Sequence, residues 1–160
     1  SGLKVLAPGE ADCIAIAGMG ASTIISILED DMEVAQSAEL LVLQPMAGAA
    51  SLRAWLCSHG WQLAAEELVD DAPHFYEIIA AKRGLAPVYS AAECAVGPLL
   101  LAQKHPLLGK QLERQLATCR QLLENMGRSE RARASEKYKE IEALKAELEV
   151  LQNGKRSDSK

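Results

Sequence analysis

The sequence predicts an α/β protein in which a doubly wound, largely parallel sheet ends in an antiparallel hairpin and is followed by a long helical hairpin. Two strand-turn-helix units in tandem predict the parallel part, two closely spaced strands predict the antiparallel end, and a final third without strand signals predicts the helices. We place the α/β region at 1–96, the helical hairpin, with coiled-coil seams, at 97–153 and a disordered tail at 154–160.

Two β-α units open the chain. Residues 12–17 form a short apolar run that ends at a glycine turn, and residues 21–28 place their isoleucines on one face of a helix. Residues 39–44 repeat the strand and end at a proline, and residues 49–59 repeat the helix up to a glycine stop. Strands without polar alternation, each followed by a helix, are typical of a parallel sheet covered on both faces.

The next two strands are predicted at 61–68 and 75–81. Only the residues 69–74 separate them. Because a parallel pair needs a crossover of roughly a dozen residues or more, these two strands are expected to be antiparallel neighbours.

The remainder of the chain is predicted to be helical, at 98–104, 107–126 and 129–152, with a proline kink before the second helix and a glycine break before the third. In the last two helices apolar residues recur every three or four positions, which predicts one apolar seam on each and an antiparallel pair. The seam residues are Leu112, Leu116, Cys119, Leu123 and Met126 in one helix and Ile141, Leu144, Leu148 and Leu151 in the other.

Composition excludes several classes of protein. No apolar run approaches the roughly 20 residues of a membrane span, and the first residues do not form a signal peptide. The four cysteines lie far apart within apolar patterns, which favours reduced core residues over a zinc or disulfide framework. A cytoplasmic protein without a bound metal fits these observations.

Charge is distributed unevenly along the chain. Residues 1–96 hold 4 Lys and Arg against 13 Asp and Glu, whereas residues 97–160 hold 13 against 9. A cationic helical region on an acidic body is suited to binding RNA phosphate. A solvated helix surface of mixed sign explains the same pattern equally well.

Candidate site residues lie at the two predicted strand ends. Gly18, Met19 and Gly20 follow the first strand, and Gln44 and Pro45 end the second, so both turns are expected at one edge of the sheet, where doubly wound folds bind ligands. A tight turn and a plain strand terminator are equal alternatives for these motifs. The full G-x-G-x-x-G spacing is absent, which disfavours a dinucleotide-binding loop. No histidine has a nucleophile partner typical of a hydrolase.

Several short motifs in one order resemble a known family. They are Gly2-Leu3 with Val5-Leu6, Ile16–Gly20, Leu43–Pro45, Leu52-Arg53 with Trp55-Leu56, Gly60-Trp61, Glu66, Phe75–Ile79 and Gly97-Pro98. Together with the helical hairpin, this set resembles the TrmK family of bacterial tRNA adenine-22 N1-methyltransferases. The resemblance spans nearly the whole chain.

The resemblance implies a class I, Rossmann-like methyltransferase sheet, S-adenosyl-L-methionine as cofactor, and methyl transfer to N1 of adenine 22 in tRNA. We expect the full-length protein to be a monomer. Cofactor contacts are expected at Gly2, Leu3, Ala17, Gly18 and Met19. Catalytic contacts around the cofactor and the acceptor base are expected at Gly18, Met19, Gly20, Gln44 and Pro45. RNA phosphate contacts are expected at Arg53, Arg128, Arg131 and Arg133.

The resemblance covers only the carboxyl-terminal half of the family's catalytic sheet. Family members carry a glycine-rich loop and an acidic strand end ahead of this region, so this chain is expected to begin within the catalytic domain and to bind the cofactor weakly by itself. Ser1, Ala21 and Met46 stand where the family usually has Asp, Gly and Asn. These departures affect the expected contacts to the cofactor's adenine ring and to the target base.

Two other functions are compatible with the sequence. The chain is alternatively a catalytically silent module that binds RNA or a protein partner through its helical hairpin. It is also compatible with a methyltransferase of the same fold that acts on another substrate. A glycine-rich strand and loop ahead of Ser1 in the parent reading frame would favour the enzyme, and methylation assays on tRNA would separate the substrates.

Overall fold

A computed structural model describes residues 2–158, which form one mixed four-stranded sheet and eight helices. The elements in chain order are β1 (Cys13–Met19), α1 (Ala21–Asp30), α2 (Met32–Ser37), β2 (Leu40–Pro45), α3 (Ala49–Ser58), β3 (Trp61–Asp71), β4 (His74–Arg83), α4 (Ala91–Val96), α5 (Pro98–Ala102), α6 (Leu108–Gly127), α7 (Glu130–Arg133) and α8 (Glu136–Asp158). Among these helices, none is long and apolar enough to cross a membrane.

The strands lie in the order β1-β2-β4-β3. β1 and β2 pair in parallel, with Ile16 opposite Leu43, and β4 lies antiparallel to both β2 and β3. The short step between β3 and β4, Ala72-Pro73, has a cis peptide bond. The α/β class, the tandem parallel units and the antiparallel hairpin predicted from the sequence are therefore confirmed.

One face of β1 is covered and the other is open within the described residues. Ile14 and Ile16 are buried in the main core with Ile24 of α1 and Leu52 of α3. Ala15 and its neighbours on the opposite face of the strand are exposed. The expectation that both faces are covered is thus wrong for β1 in residues 2–158, because α1 and α3 pack on the same side of the sheet.

The structure contains three short helices that the periodicity did not predict. α2 and α4 are six residues long, and the predicted single helix over 129–152 is divided into α7 and α8. The division occurs at Ser135, whose side-chain oxygen accepts a hydrogen bond from the Tyr138 N–H and so begins a new helix. α4 begins with a capping box between Ser90 and Glu93.

A second core joins the two long helices to the sheet. All nine predicted seam residues of α6 and α8 belong to it, so the predicted seams are confirmed. Leu68 of β3 and Phe75 of β4 contribute to the same cluster. A boundary between residues 96 and 97 therefore does not separate two independent cores.

The final helix is longer than the sequence predicts. α8 continues to Asp158, so the predicted disordered tail is wrong for residues 154–158. Ser157 supports this last turn, since its hydroxyl donates to the Asn153 carbonyl oxygen at 3.2 Å. Residues 159 and 160 of the predicted tail lie outside the described range.

Candidate active site

The two predicted turns lie side by side at the carboxyl ends of β1 and β2. Met19 is opposite Pro45, and a register shift at Gly18 lets the backbone turn there with φ of +75°. The Gly18 N–H donates to Oε1 of Gln44 at 3.0 Å, and the Met46 N–H donates to the Met19 carbonyl at 2.8 Å. The structure thus brings together all five residues predicted to be catalytic, whose role stays a prediction.

The space in front of the first turn is open. A Cβ atom added to Gly18 or to Gly20 would meet no described atom within 4 Å. Ala17 is exposed, and Met19 has 40% of its surface accessible. A ligand can therefore approach the backbone of this turn closely, which a side chain at either glycine would prevent.

A third glycine, which was not predicted as functional, brings the two helix starts together. Gly48 precedes α3 with φ of +78°, and a Cβ there would lie 3.0 Å from the Ala21 Cβ at the start of α1. The Ala21 N–H also donates to the Ala47 carbonyl at 2.9 Å. The only sequence signal was a glycine four residues after Gln44.

Gly2 and Leu3 are not joined to this site. A Cβ on Gly2 would face Asp31 and Ile27 at the end of α1, and the Leu3 side chain is buried in the main core. The turn at Gly18 lies by the other end of α1, about 15 Å away for ten helical residues. The Leu3 side chain packs inward, so only its backbone is available to a ligand, and the cofactor contacts expected at Gly2 and Leu3 stay a prediction.

Arg53 is buried, so the prediction that it contacts RNA phosphate is wrong. Its Nε lies 2.5 Å from Oε1 of Glu66, its Nη2 lies 2.8 Å from Oε2 of Glu77, and its Nη1 donates to the Cys94 carbonyl at 2.8 Å. Burial alone would lower the pKa of Arg53, but the two carboxylates raise it above its ordinary value. Arg53 therefore stays charged and ties α3 to β3, β4 and α4.

The other three arginines predicted to contact RNA lie at the hairpin tip and, unlike Arg53, are exposed. Arg128, Arg131 and Arg133 are all exposed around α7. Arg128 lies 3.9 Å from Glu124, a loose pair between two well-exposed side chains. Within residues 2–158, Arg131 and Arg133 have no carboxylate partner. Arg131 and Arg133 are therefore available to an anionic surface, and contact of all three arginines with RNA stays a prediction.

The cysteines do not supply a reactive group to this edge. All four are free thiols. Burial raises the pKa of Cys57, Cys94 and Cys119, which keeps these thiols protonated at neutral pH. Among residues 2–158, no three His, Cys, Asp or Glu side chains form a cluster suited to a metal ion.

A cavity of about 210 Å³ adjoins the turns on the β4 side. Its walls are formed by the second turn, by the start of β4 and by α6, with the lining residues Gln44, Pro45, Met46, Pro73, His74, Phe75, Tyr76 and Arg114. This cavity was not predicted, because its α6 wall is distant in sequence. The aromatic run after Pro73 was its only sequence signal.

Comparison with known proteins gives a consistent result. Residues 1–153 match the model of the family described as TrmK: tRNA (adenine(22)-N(1))-methyltransferase. A curated Bacillus subtilis (strain 168) protein named tRNA (adenine(22)-N(1))-methyltransferase is 30% identical over 155 residues, which are 94% of this chain and 64% of that protein. The chain thus spans just under two thirds of this relative.

Solved structures share the fold. The crystal structure of the Bacillus subtilis m1A22 tRNA methyltransferase TrmK has a TM-score of 0.79 and 28% identity, with 94% of this chain and 67% of that chain covered. A candidate tRNA (m1A22) methyltransferase of Streptococcus pneumoniae, in complex with S-adenosyl-L-methionine, has a TM-score of 0.76 and 26% identity, with 95% and 65% covered. Both similarities extend over the sheet and the helical hairpin.

Proposed function

The chain belongs to the TrmK family of tRNA (adenine(22)-N(1))-methyltransferases, and on this premise we propose that the protein transfers a methyl group from S-adenosyl-L-methionine to N1 of adenine 22 in tRNA. The observation that carries the proposal is the pair of adjoining turns, held together by the Gly18 N–H and Oε1 of Gln44. Because the chain spans 64% of its curated relative, the activity, cofactor and substrate of the whole protein are all part of the proposal.

The residues of the first turn fit the cofactor. Open space in front of Gly18 and Gly20 allows a bulky ligand to contact the backbone, and the exposed Ala17 and Met19 flank that space. S-adenosyl-L-methionine, when bound there, would supply a methyl group on a positively charged sulfur. The turn itself provides position, since its backbone is fixed from the β2 side by Gln44.

The chemistry of the acceptor atom matches the residue types present. N1 of neutral adenine carries a lone pair and no proton, so its attack on a methyl group needs no general base at the reacting atom. Gly18, Met19, Gln44 and Pro45 have no titratable side chain. Their contribution is to hold the adenine N1 in line with the methyl group and its sulfur and to exclude water. Catalysis then arises from the orientation of the two reactants.

The cationic tip of the helical hairpin supports an RNA substrate. N1 is hidden in a paired or stacked base, so the adenine must be unstacked at a cost of a few kcal/mol. Contacts to phosphates far from the reacting base hold the RNA in place during this step. We assign that contact to Arg128, Arg131 and Arg133, and the reaction to a monomeric protein in the cytoplasm.

The test is methyl transfer by the intact protein to unmodified tRNA, with the product mapped by mass spectrometry of nuclease fragments. A methyl group on N1 of adenine 22 supports the proposal. A methyl group on another nucleotide indicates the same fold with a different substrate. Binding of tRNA without transfer, under conditions in which the Bacillus subtilis relative is active, indicates a silent RNA-binding module and overturns the proposed activity.

A further inference from the structure

We propose that the cavity between Gln44–Met46 and His74–Tyr76 binds the nucleotide adjacent to the methyl-accepting adenine. The base of that nucleotide stacks on the rings of His74 and Tyr76, and its phosphate binds Arg114. This inference rests on the proposed function, since it assigns a second RNA contact to the same edge of the sheet.

Topology places the cavity next to the acceptor site but outside it. β2 lies between β1 and β4, so the first turn borders one side of Gln44 and the cavity borders the other. β4 runs antiparallel to β2, which puts its first residues beside the carboxyl end of β2. Neighbouring strands are about 4.8 Å apart, so the two sites lie within about two strand spacings of each other.

The rings at the cavity form a stacking platform. His74 and Tyr76 are two residues apart on β4 and therefore project from the same side of the strand. Their ring centroids are 5.8 Å apart with an angle of 30° between the planes. Nucleic-acid-binding proteins bind unpaired bases by stacking them on aromatic side chains, which serves every base because each has a π-face.

Arg114 of α6 also lines the cavity, and it is held by Phe75, which projects from the other side of β4 than His74 and Tyr76. The Arg114 guanidinium carbon is 4.4 Å from the centroid of the Phe75 ring, and the Lys110 ammonium is 5.5 Å from it. Lys110 also pairs with Asp70 at 2.5 Å, whereas Arg114 is exposed and lines the cavity. Phe75 thus positions the planar, five-donor head group of Arg114, which is suited to a phosphate.

The cavity is small and has a polar side chain at its edge. At about 210 Å³ it is smaller than the roughly 300–1,000 Å³ of pockets for drug-sized ligands. The Gln44 side chain directs its amide nitrogen toward Met46, where the sulfur at 3.5 Å is a weak acceptor. The Gln44 amide N–H can instead donate a hydrogen bond to the edge of a bound base.

The test pairs a protein variant with an altered RNA. Tyr76→Ala in the intact protein is expected to weaken binding of normal tRNA by about 5- to 100-fold, the range for one lost base stack. Against a transcript that lacks the base next to adenine 22, made separately for the 5′ and the 3′ neighbour, one of the two transcripts should bind wild type and Tyr76→Ala equally. Tyr76→Phe, which keeps the ring, should bind normal tRNA like wild type.

Two control measurements make the result decisive. Arg114→Gln should reduce the slope of log affinity against log salt by about one unit, whereas Arg120→Gln, which removes the same charge from the same helix outside the cavity, should not. Thermal melts establish that each variant is folded. Failure of wild type to methylate tRNA overturns the proposed function. Methylation by wild type, together with an equal loss for Tyr76→Ala on all three RNAs or no loss on any, overturns this subsite alone.

Discussion

The Nε atom of Arg53 and the Oε1 atom of Glu66 lie 2.5 Å apart, and neither side chain has any exposed surface. Removing one partner of a buried pair leaves the other charge without compensation, at a cost of about 3–5 kcal/mol. We therefore expect Arg53→Met to lower the free energy of unfolding by that amount in urea titrations. The triple variant R53M/E66Q/E77Q should recover a large part of the loss.

Arg131→Met is the matched control, because Arg131 is exposed and has no carboxylate partner within residues 2–158. It should change the free energy of unfolding by less than about 0.5 kcal/mol. A similar, small effect of both substitutions would contradict the buried pair described for Arg53.

A substitution at Gly20 tests whether the space in front of the turn is needed for a ligand, without straining the backbone. Its φ is −66°, which any residue adopts, and a Cβ there meets no described atom within 4 Å. Gly20→Val should therefore leave the melting temperature within a few degrees of wild type while reducing methyl transfer on the order of 100-fold, since the bound groups are displaced. Gly127→Ala, also in open space, should leave the rate unchanged. Near-normal turnover of Gly20→Val would show that the turn is only structural.

Gln44 is expected to act by holding the first turn. Gln44→Leu removes the acceptor for the Gly18 N–H, which is exposed, so stability should fall by less than about 1 kcal/mol. Methyl transfer should fall much further, by about 10- to 100-fold, because the turn is no longer fixed against β2. Gln44→Glu keeps an acceptor oxygen and should keep more activity than Gln44→Leu in single-turnover assays.

The three tip arginines are expected to contribute to RNA affinity through charge. Neutralising Arg128, Arg131 and Arg133 to Gln should weaken tRNA binding and reduce its log–log salt slope by up to about three units, with cofactor affinity unchanged. Glu124→Gln is the opposite test, since it removes the carboxylate 3.9 Å from Arg128 and should strengthen binding slightly. An unchanged salt slope in the triple variant would place the RNA surface elsewhere.

Glu67 provides a pH-dependent link between β3 and the start of α6. Its carboxylate accepts from the Leu68 N–H at 2.9 Å and contacts Nε2 of His105, and these contacts lower the pKa of Glu67 below its ordinary value of 4.5. Because the pKa of Glu67 is lower in the folded state, its carboxylate adds to the free energy of unfolding above pH 4.5. This stabilisation is lost as the pH falls through the pKa of the folded state.

Urea midpoints of wild type and Glu67→Gln should therefore differ at pH 7 and converge at acid pH. A difference that persists at acid pH would contradict this assignment.

The sequence was sufficient for the elements with strong periodicity and insufficient where partners are distant. The seams of α6 and α8 follow from spacing because each apolar stripe has to be buried. Arg53 was misplaced because it follows Leu52 on α3, and its partners Glu66 and Glu77 are 13 and 24 residues away. A helical pattern alone cannot show that two carboxylates approach a charged residue from neighbouring strands.

Local capping signals explain other differences. Ser90 with Glu93 is a capping box that was visible in the sequence and would have predicted α4. Ser135 lies between α7 and α8, and its hydroxyl bonds to the backbone of both. Serine also occurs within helices, so the continuous spacing of apolar residues gave no sign of a break here. The cavity beside Tyr76 required the position of α6, which depends on packing against Leu68 and Phe75.

The core shared by Leu68, Phe75 and the long helices fixes the position of α6 relative to the sheet. Fourteen residues separate Arg114 beside the sheet edge from Arg128 at the tip, which corresponds to about 21 Å along the helix. The helix itself keeps this spacing constant, and the shared core holds α6 in place against the sheet. On the proposed RNA binding, the phosphates that contact Arg114 and Arg128 must therefore be separated by a matching distance. Adding seven residues to both α6 and α8 would lengthen the hairpin by about 10 Å. The tip arginines should then no longer reach their phosphates on a tRNA whose adenine 22 still enters the site, and tRNA binding should weaken.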